Sequence, residues 1–126
     1  MEKIDVISFR KKITPLQNIF FDYEVPSDGT IDRVGIFFAQ GQQFDLRVNL
    51  MIIQSGSQVP DPIILYAEGT EPYIAGDNVY FERNVMRPVT PGDLIRVYAE
   101  SHDAANDMNL SVDITIDYYI GKGRVL

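Results

Sequence analysis

The residues able to do chemistry fall into a few groups, and each has an ordinary structural use. His102 is the single histidine of the chain, and Asp103 follows it. A Ser-His-Asp triad would have to rest on this one imidazole, yet no G-x-S-x-G elbow accompanies it. Asp103, Asn106, Asp107 and Asn109 crowd oxygen donors into one polar segment. Calcium takes about six to eight oxygens, and Asp103, Asn106 and Asp107 are its candidate ligands here. Their spacing departs from the D-x-[DN]-x-[DN]-G order of an EF-hand, and no glutamate closes the loop. Asp and Asn also bond to their own backbone in turns, which is the preferred reading. Glu68, Glu71, Asp77 and Glu82 could supply a glycosidase carboxylate pair, but the sequence sets no separation between them. Tyr66, Tyr73 and Tyr80 lie in or near connecting segments, where they could stack on a sugar or pack at strand ends. Asn109-Leu110-Ser111 matches a glycosylation sequon inside a strand-like run. Gly121-Lys122-Gly123-Arg124 lacks the context of a phosphate loop. No nucleophile, base and orienting group can be named together, so a non-enzymatic protein without a cofactor is expected.

Composition narrows the setting. A chain of 126 residues with 45% hydrophobic side chains suits one domain, 1–126, with a true core. No apolar run reaches the length of about 18 residues that a membrane helix needs, and no membrane partner is expected. The opening MEKIDVISFRKK alternates and carries charge, so no signal peptide is expected. Without cysteine there are no disulfides, thiolate metal sites or thiol nucleophiles. A net charge of −7 repels phosphate backbones, and nucleic acid is not an expected partner. Arg10, Lys11 and Lys12 form one basic cluster, read as a solvated strand end.

The elements that must position these groups are strands. Asn109 to Tyr119 places Leu110, Val112, Ile114, Ile116 and Tyr118 on one side and Asn109, Ser111, Asp113, Thr115 and Asp117 on the other. Strand side chains alternate between faces, so this run has one dry face and one wet face. Lys3 to Ile13 is an imperfectly alternating strand. Asn18 to Val25 aligns Ile19, Phe21, Tyr23 and Val25. Pro26-Ser27-Asp28-Gly29 is a compact turn expected to join a hairpin to Thr30–Gln40, where Val34, Ile36 and Phe38 are in phase. Gly41-Gln42 is a further turn. Phe44 to Gln54 points Phe44, Leu46, Val48, Leu50 and Ile52 one way. Ser55 to Pro62 reads as a polar loop, Ile63 to Glu68 as a short strand, and Gly69 to Asp77 as an irregular connection. Val79 to Arg83 is a short strand with an unassigned path to Val89. Thr90-Pro91-Gly92-Asp93 has the residues of a type II turn, and Leu94 to Glu100 is the next strand. About eight strands without helical periodicity predict an antiparallel all-β sandwich, jelly-roll-like, with an immunoglobulin-like topology as the alternative.

Phe20, Phe37, Met51, Ile53, Tyr98 and Tyr119 stand out of phase with this core. Scattered exposed apolar residues are ordinary, whereas a patch marks an interaction surface. If they cluster, the simplest cover is a second copy of the chain, so a homo-oligomer is expected.

The runs VPSDGTIDRVGIFF (Val25–Phe38) and RPVTPGDLIRVYAES (Arg87–Ser101) resemble those of small accessory β-sandwich proteins of phage and virus particles. Such chains carry a P-x-D-G turn, an alternating strand and a late P-G-D-x-I-x-V segment. The resemblance implies a capsid-decorating, fibre or spike role within a virion, beside other structural proteins, often as trimers. The alternative is a carbohydrate-binding module using Tyr66, Tyr73 and Tyr80.

Overall fold

The computed structural model describes residues 3–63 and 73–118. Among these the strands are β1 Lys3–Ile13, β2 Asn18–Glu24, β3 Gly29–Phe38, β4 Leu46–Ile53, β5 Pro60–Pro62, β6 Val79–Val89, β7 Leu94–Ser101 and β8 Met108–Tyr118. They form two four-stranded antiparallel sheets, ordered β1-β8-β3-β6 and β2-β7-β4-β5. Consecutive strands change sheet at every link except β4 to β5. This order is that of a jelly roll, and the immunoglobulin-like alternative is set aside.

β8 explains the dry interior. It is flanked by β1 and β3, and Leu110, Val112, Ile114 and Ile116 are essentially sealed from solvent. They face Ile95, Val97 and Ala99 of β7 and Leu46, Val48, Leu50 and Ile52 of β4 across one contiguous core. Each fully buried aliphatic side chain contributes about 1.5–3 kcal/mol through loss of apolar surface from water.

Several local expectations are corrected. The 26–29 turn joins no hairpin, because β2 and β3 belong to different sheets. Gly29 serves close approach instead of turning: a Cβ there would lie 2.7 Å from the Asp117 carbonyl oxygen. Phe44 does not open β4. It adopts a left-handed φ of 64° and is 63% exposed, and the strand starts at Leu46. Part of the expected 55–62 loop is a strand, since Pro60–Pro62 pairs with Met51–Ile53 at a sheet edge, where proline's missing donor is tolerated. Of the expected strand Ile63–Glu68, Ile63 donates to the Leu50 carbonyl at 3.0 Å, and residues 64–68 lie outside the described residues. Residues 79–89 form a single strand. A register shift between Ile31 and Arg33 inserts one extra residue on β6, and Met86 there takes φ 54°. In the pairing with β8 the extra residue is on β3 itself, between Ile31 and Arg33, and it lets both Ile31 and Val34 bury against a strict alternation.

The 90–93 turn forms as expected, with Gly92 at φ 90° and Asp93 N–H donating to the Thr90 carbonyl at 3.1 Å. It anchors one end of the sandwich. The Asp93 carboxylate accepts from the backbone N–H groups of Ser55 (3.0 Å) and Thr90 (2.9 Å), and its carbonyl accepts from Val25 N–H at 2.8 Å. Three links between strands therefore meet at one residue.

Candidate functional site

The face of β2-β7-β4-β5 that points away from the core is built by alternation. Ile19, Phe21 and Tyr23 pair with inward residues of β7, which sends Phe20, Asp22 and Glu24 outward. The same rule sends out Leu94, Arg96, Tyr98 and Glu100 from β7 and Arg47, Asn49, Met51 and Ile53 from β4. The register arranges these in rows. One is Phe20, Tyr98 and Asn49; the next is Asp22, Arg96, Met51 and Pro62; the third is Glu24, Leu94, Ile53 and Pro60.

The middle row carries one ordered ion pair. Arg96 Nε and Nη2 donate to Asp22 Oδ1 and Oδ2 at 2.7 and 2.8 Å. The guanidinium also lies 4.4 Å from the centroid of the Phe20 ring. Forked bonding plus ring stacking fixes Arg96 flat on the sheet, and its charge is matched locally. The Arg96 hydrogen bond holds the Asp22 carboxyl below the ordinary carboxylate range, against a smaller effect of burial. Because the folded value is depressed, the pair's contribution is fully present above the unfolded value of about 3.9 and is lost as pH falls below it. Unfolding measured at pH 6 and pH 2.5 should therefore show Asp22→Asn less stable than wild type at pH 6, with a smaller gap at pH 2.5. An unchanged gap at pH 2.5 would contradict the assignment.

A polar chain borders the apolar rows. Asn18 Nδ2 donates to the Tyr98 hydroxyl (2.9 Å), which donates to Glu100 Oε2 (3.0 Å), while His102 Nε2 lies 2.6 Å from Glu100 Oε1. The bond to His102, then that from Tyr98, holds the Glu100 carboxyl below its usual range. Arg47 stacks 4.5 Å from the Tyr73 ring centroid. The face is thus apolar at Met51, Ile53, Leu94 and the two prolines, with Arg96 paired to Asp22, and with Glu24 at the edge-strand end of the third row.

Four of the six out-of-phase residues, Phe20, Met51, Ile53 and Tyr98, meet on this face. Phe37 does not join them: it belongs to β3 and pairs with Tyr80 on the outer face of the opposite sheet. Tyr119 lies outside the described residues. Leu94 belongs to the patch and was missed, although its spacing of two and four from Arg96 and Tyr98 carried the signal. Of the tyrosines proposed for sugar stacking, Tyr66 lies outside the described residues, Tyr73 sits under Arg47, and Tyr80 is on the other sheet. Tyr73 and Tyr80 therefore form no common platform.

The acidic loop is used for its own geometry. Asp103 Oδ1 accepts from the N–H groups of Ala105 (2.7 Å) and Asn106 (2.8 Å), and Oδ2 accepts from Asn106 Nδ2 (3.3 Å). These bonds lower the Asp103 carboxyl from its ordinary value. Asp107 pairs with Lys12 at 3.6 Å. Among the described residues no group of three or more His, Asp or Glu gathers as a metal site. Asp77 accepts from Gly41 N–H at 2.7 Å, Glu82 lies 3.9 Å from Arg33, and Glu68 and Glu71 are outside the described residues. No carboxylate pair is assembled from the described members.

No protein family matches the chain, and no curated protein does. Among solved structures it is similar to a chain in the structure of the infectious bursal disease virus Gx strain, with 13% identity and TM-score 0.48 over 96% of this chain and 34% of that one. A chain in T=1 particles derived from infectious bursal virus is similar at 12% identity and TM-score 0.47, over 96% and 32%. A third, in an infectious bursal disease virus VP2 subviral particle, gives 13% and 0.45, over 98% and 35%. The chain spans about a third of the length of these proteins. The likeness concerns the course of the chain alone.

Proposed function

We propose that the chain is a non-enzymatic structural protein that assembles with copies of itself through the outer face of the β2-β7-β4-β5 sheet. The carrying observation is that Phe20, Met51, Ile53, Leu94 and Tyr98 share one face on which Arg96 is already neutralised by Asp22. Covering this patch strands neither member of the Arg96–Asp22 pair, and a stranded charge is a main cost of burying a polar sheet face. Strand spacing of about 4.8 Å and a rise of about 3.3 Å per residue give four such strands a projected area on the order of 500 Å². With the flanking loops, that approaches the roughly 800 Å² per partner of a stable interface. A second copy fits better than a nucleic acid, because the chain's net charge is −7. The motif resemblance supports a virus particle as the setting, with the chain as a decoration, fibre or spike component and a trimer as the expected form.

Light scattering on a sizing column, across a concentration series, tests this. The expected result is a stable species at three times the 14.3 kDa chain mass. A monomer at every concentration would overturn the self-assembly reading.

A further inference from the structure

The opposite outer face, on β1-β8-β3-β6, holds an arrangement that assembly through the other sheet does not use. Phe37 and Tyr80 are directly paired across β3 and β6, and they are 46% and 50% exposed. Tyr80 does not stand away from the sheet. Its phenol end lies over Gly35, where a Cβ would clash with the phenol oxygen. Gly35 in turn stands opposite Glu82 on β6 and Asp113 on β8. The ring is therefore laid down between two carboxylates, one side against backbone and the other toward solvent. Its hydroxyl makes no hydrogen bond with the described residues.

The rim is preorganised and charge-balanced. Arg10 Nη1 donates to the carbonyls of Phe9 and Val112, both at 3.1 Å, and Nη2 donates to Asp113 Oδ1 at 2.9 Å. Ser8 Oγ donates to the same Oδ1 at 2.7 Å, so Asp113 Oδ2 is turned to other donors. Arg33 and Glu82 stand 3.9 Å apart, close enough to offset each other's charge and loose enough to admit a hydroxyl.

We propose that Tyr80 and Phe37 stack the apolar face of a neutral hexopyranose, whose hydroxyls bond to Glu82, Asp113, Arg33 and Arg10. A pyranose presents C–H groups on one face and hydroxyls at its edge. The site presents an aromatic surface bordered by donors and acceptors in fixed positions. Two cations matched by two carboxylates leave no net charge to select an anionic sugar, which points to a neutral glycan. The surroundings agree with this crowding: burial first, and then the charges of Glu82 and Asp113, raise the Tyr80 phenol above its ordinary value. The site differs from a loop-tyrosine platform, since Tyr73 lies against Arg47 of the other sheet. It does not depend on the assembly reading, because the two faces are on opposite sides of the sandwich.

Saturation-transfer NMR on the intact protein, with methyl galactoside, glucoside and mannoside and with sialyllactose, tests the proposal. Transfer is expected to the C–H groups on one face of at least one neutral hexoside. Tyr80→Ala should weaken that binding on the order of tenfold, as the loss of an aromatic stack does. Gly35→Ala should weaken it comparably with Tyr80 still present, because the new Cβ lifts the ring. Far-ultraviolet circular dichroism confirms that each variant folds. The proposal is overturned by no transfer to any neutral hexoside, by binding that survives Tyr80→Ala, or by preference for the sialylated sugar. It is also overturned if Tyr80→Ala changes the native mass, since a second copy would then cover this face.

Discussion

If the chain assembles through the β2-β7-β4-β5 face as proposed, Ile53→Asp is expected to convert the oligomer to a folded monomer. Ile53 sits in the row with Leu94 and Pro60, where no cation stands across either strand. An aspartate there would be buried unpaired in each copy of the interface. Breaking charge compensation in a buried site costs about 3–5 kcal/mol, which is roughly two to three and a half orders of magnitude in the dissociation constant. The side chain lies outside the core, so the β4–β7 ladder and the melting temperature should change little. Met51→Asp is a graded companion. Met51 stands opposite Arg96, which could partly accommodate the new carboxylate, although Asp22 already occupies that guanidinium on two sides. The expected order of dissociation is Ile53→Asp, then Met51→Asp, then wild type. A native mass unchanged by Ile53→Asp would sink the face assignment, and a lost β spectrum would show that the residue is structural instead.

Asp93→Ala is expected to destabilise the fold by about 3 kcal/mol, the largest effect of any single polar substitution predicted for this chain. Asp93 is 5% exposed, and its carboxylate accepts from Ser55 N–H, Thr90 N–H and the Thr90 hydroxyl, the last at 3.3 Å. Removing it leaves two backbone donors without a partner in a site that water reaches poorly. Those donors belong to the link after β4 and the link between β6 and β7, and Val25 on the link after β2 is tied to the same residue through its carbonyl. The loss should therefore loosen one whole end of the sandwich. Asp93→Asn keeps an acceptor oxygen and should lose about half as much. Urea unfolding measures both. A loss below about 1 kcal/mol for Asp93→Ala would show that the bonds to this carboxylate are replaced by water.

The amino-acid sequence by itself determined which side of each regular strand faces inward. Leu110, Val112, Ile114 and Ile116 of β8, and Val48, Leu50 and Ile52 of β4, could be placed because alternation is a local property of extended backbone. The 90–93 turn was legible for the same reason, since proline and glycine preferences act over four residues. The tertiary structure decided everything that depends on which strand pairs with which. Phe37 and Met51 look alike in sequence, each an apolar residue on a wet side, yet pairing assigns them to opposite sheets. The hairpin expected at Pro26–Gly29 failed because the same turn residues serve a crossing between sheets. β6 was hidden because its extra residue at the bulge breaks the period that alternation relies on. The patch of Phe20, Met51, Ile53, Leu94 and Tyr98 is likewise a product of register between strands more than 20 residues apart in sequence. Strand pairing is set by the free energy of closing the whole core, and no window of ten residues contains that information.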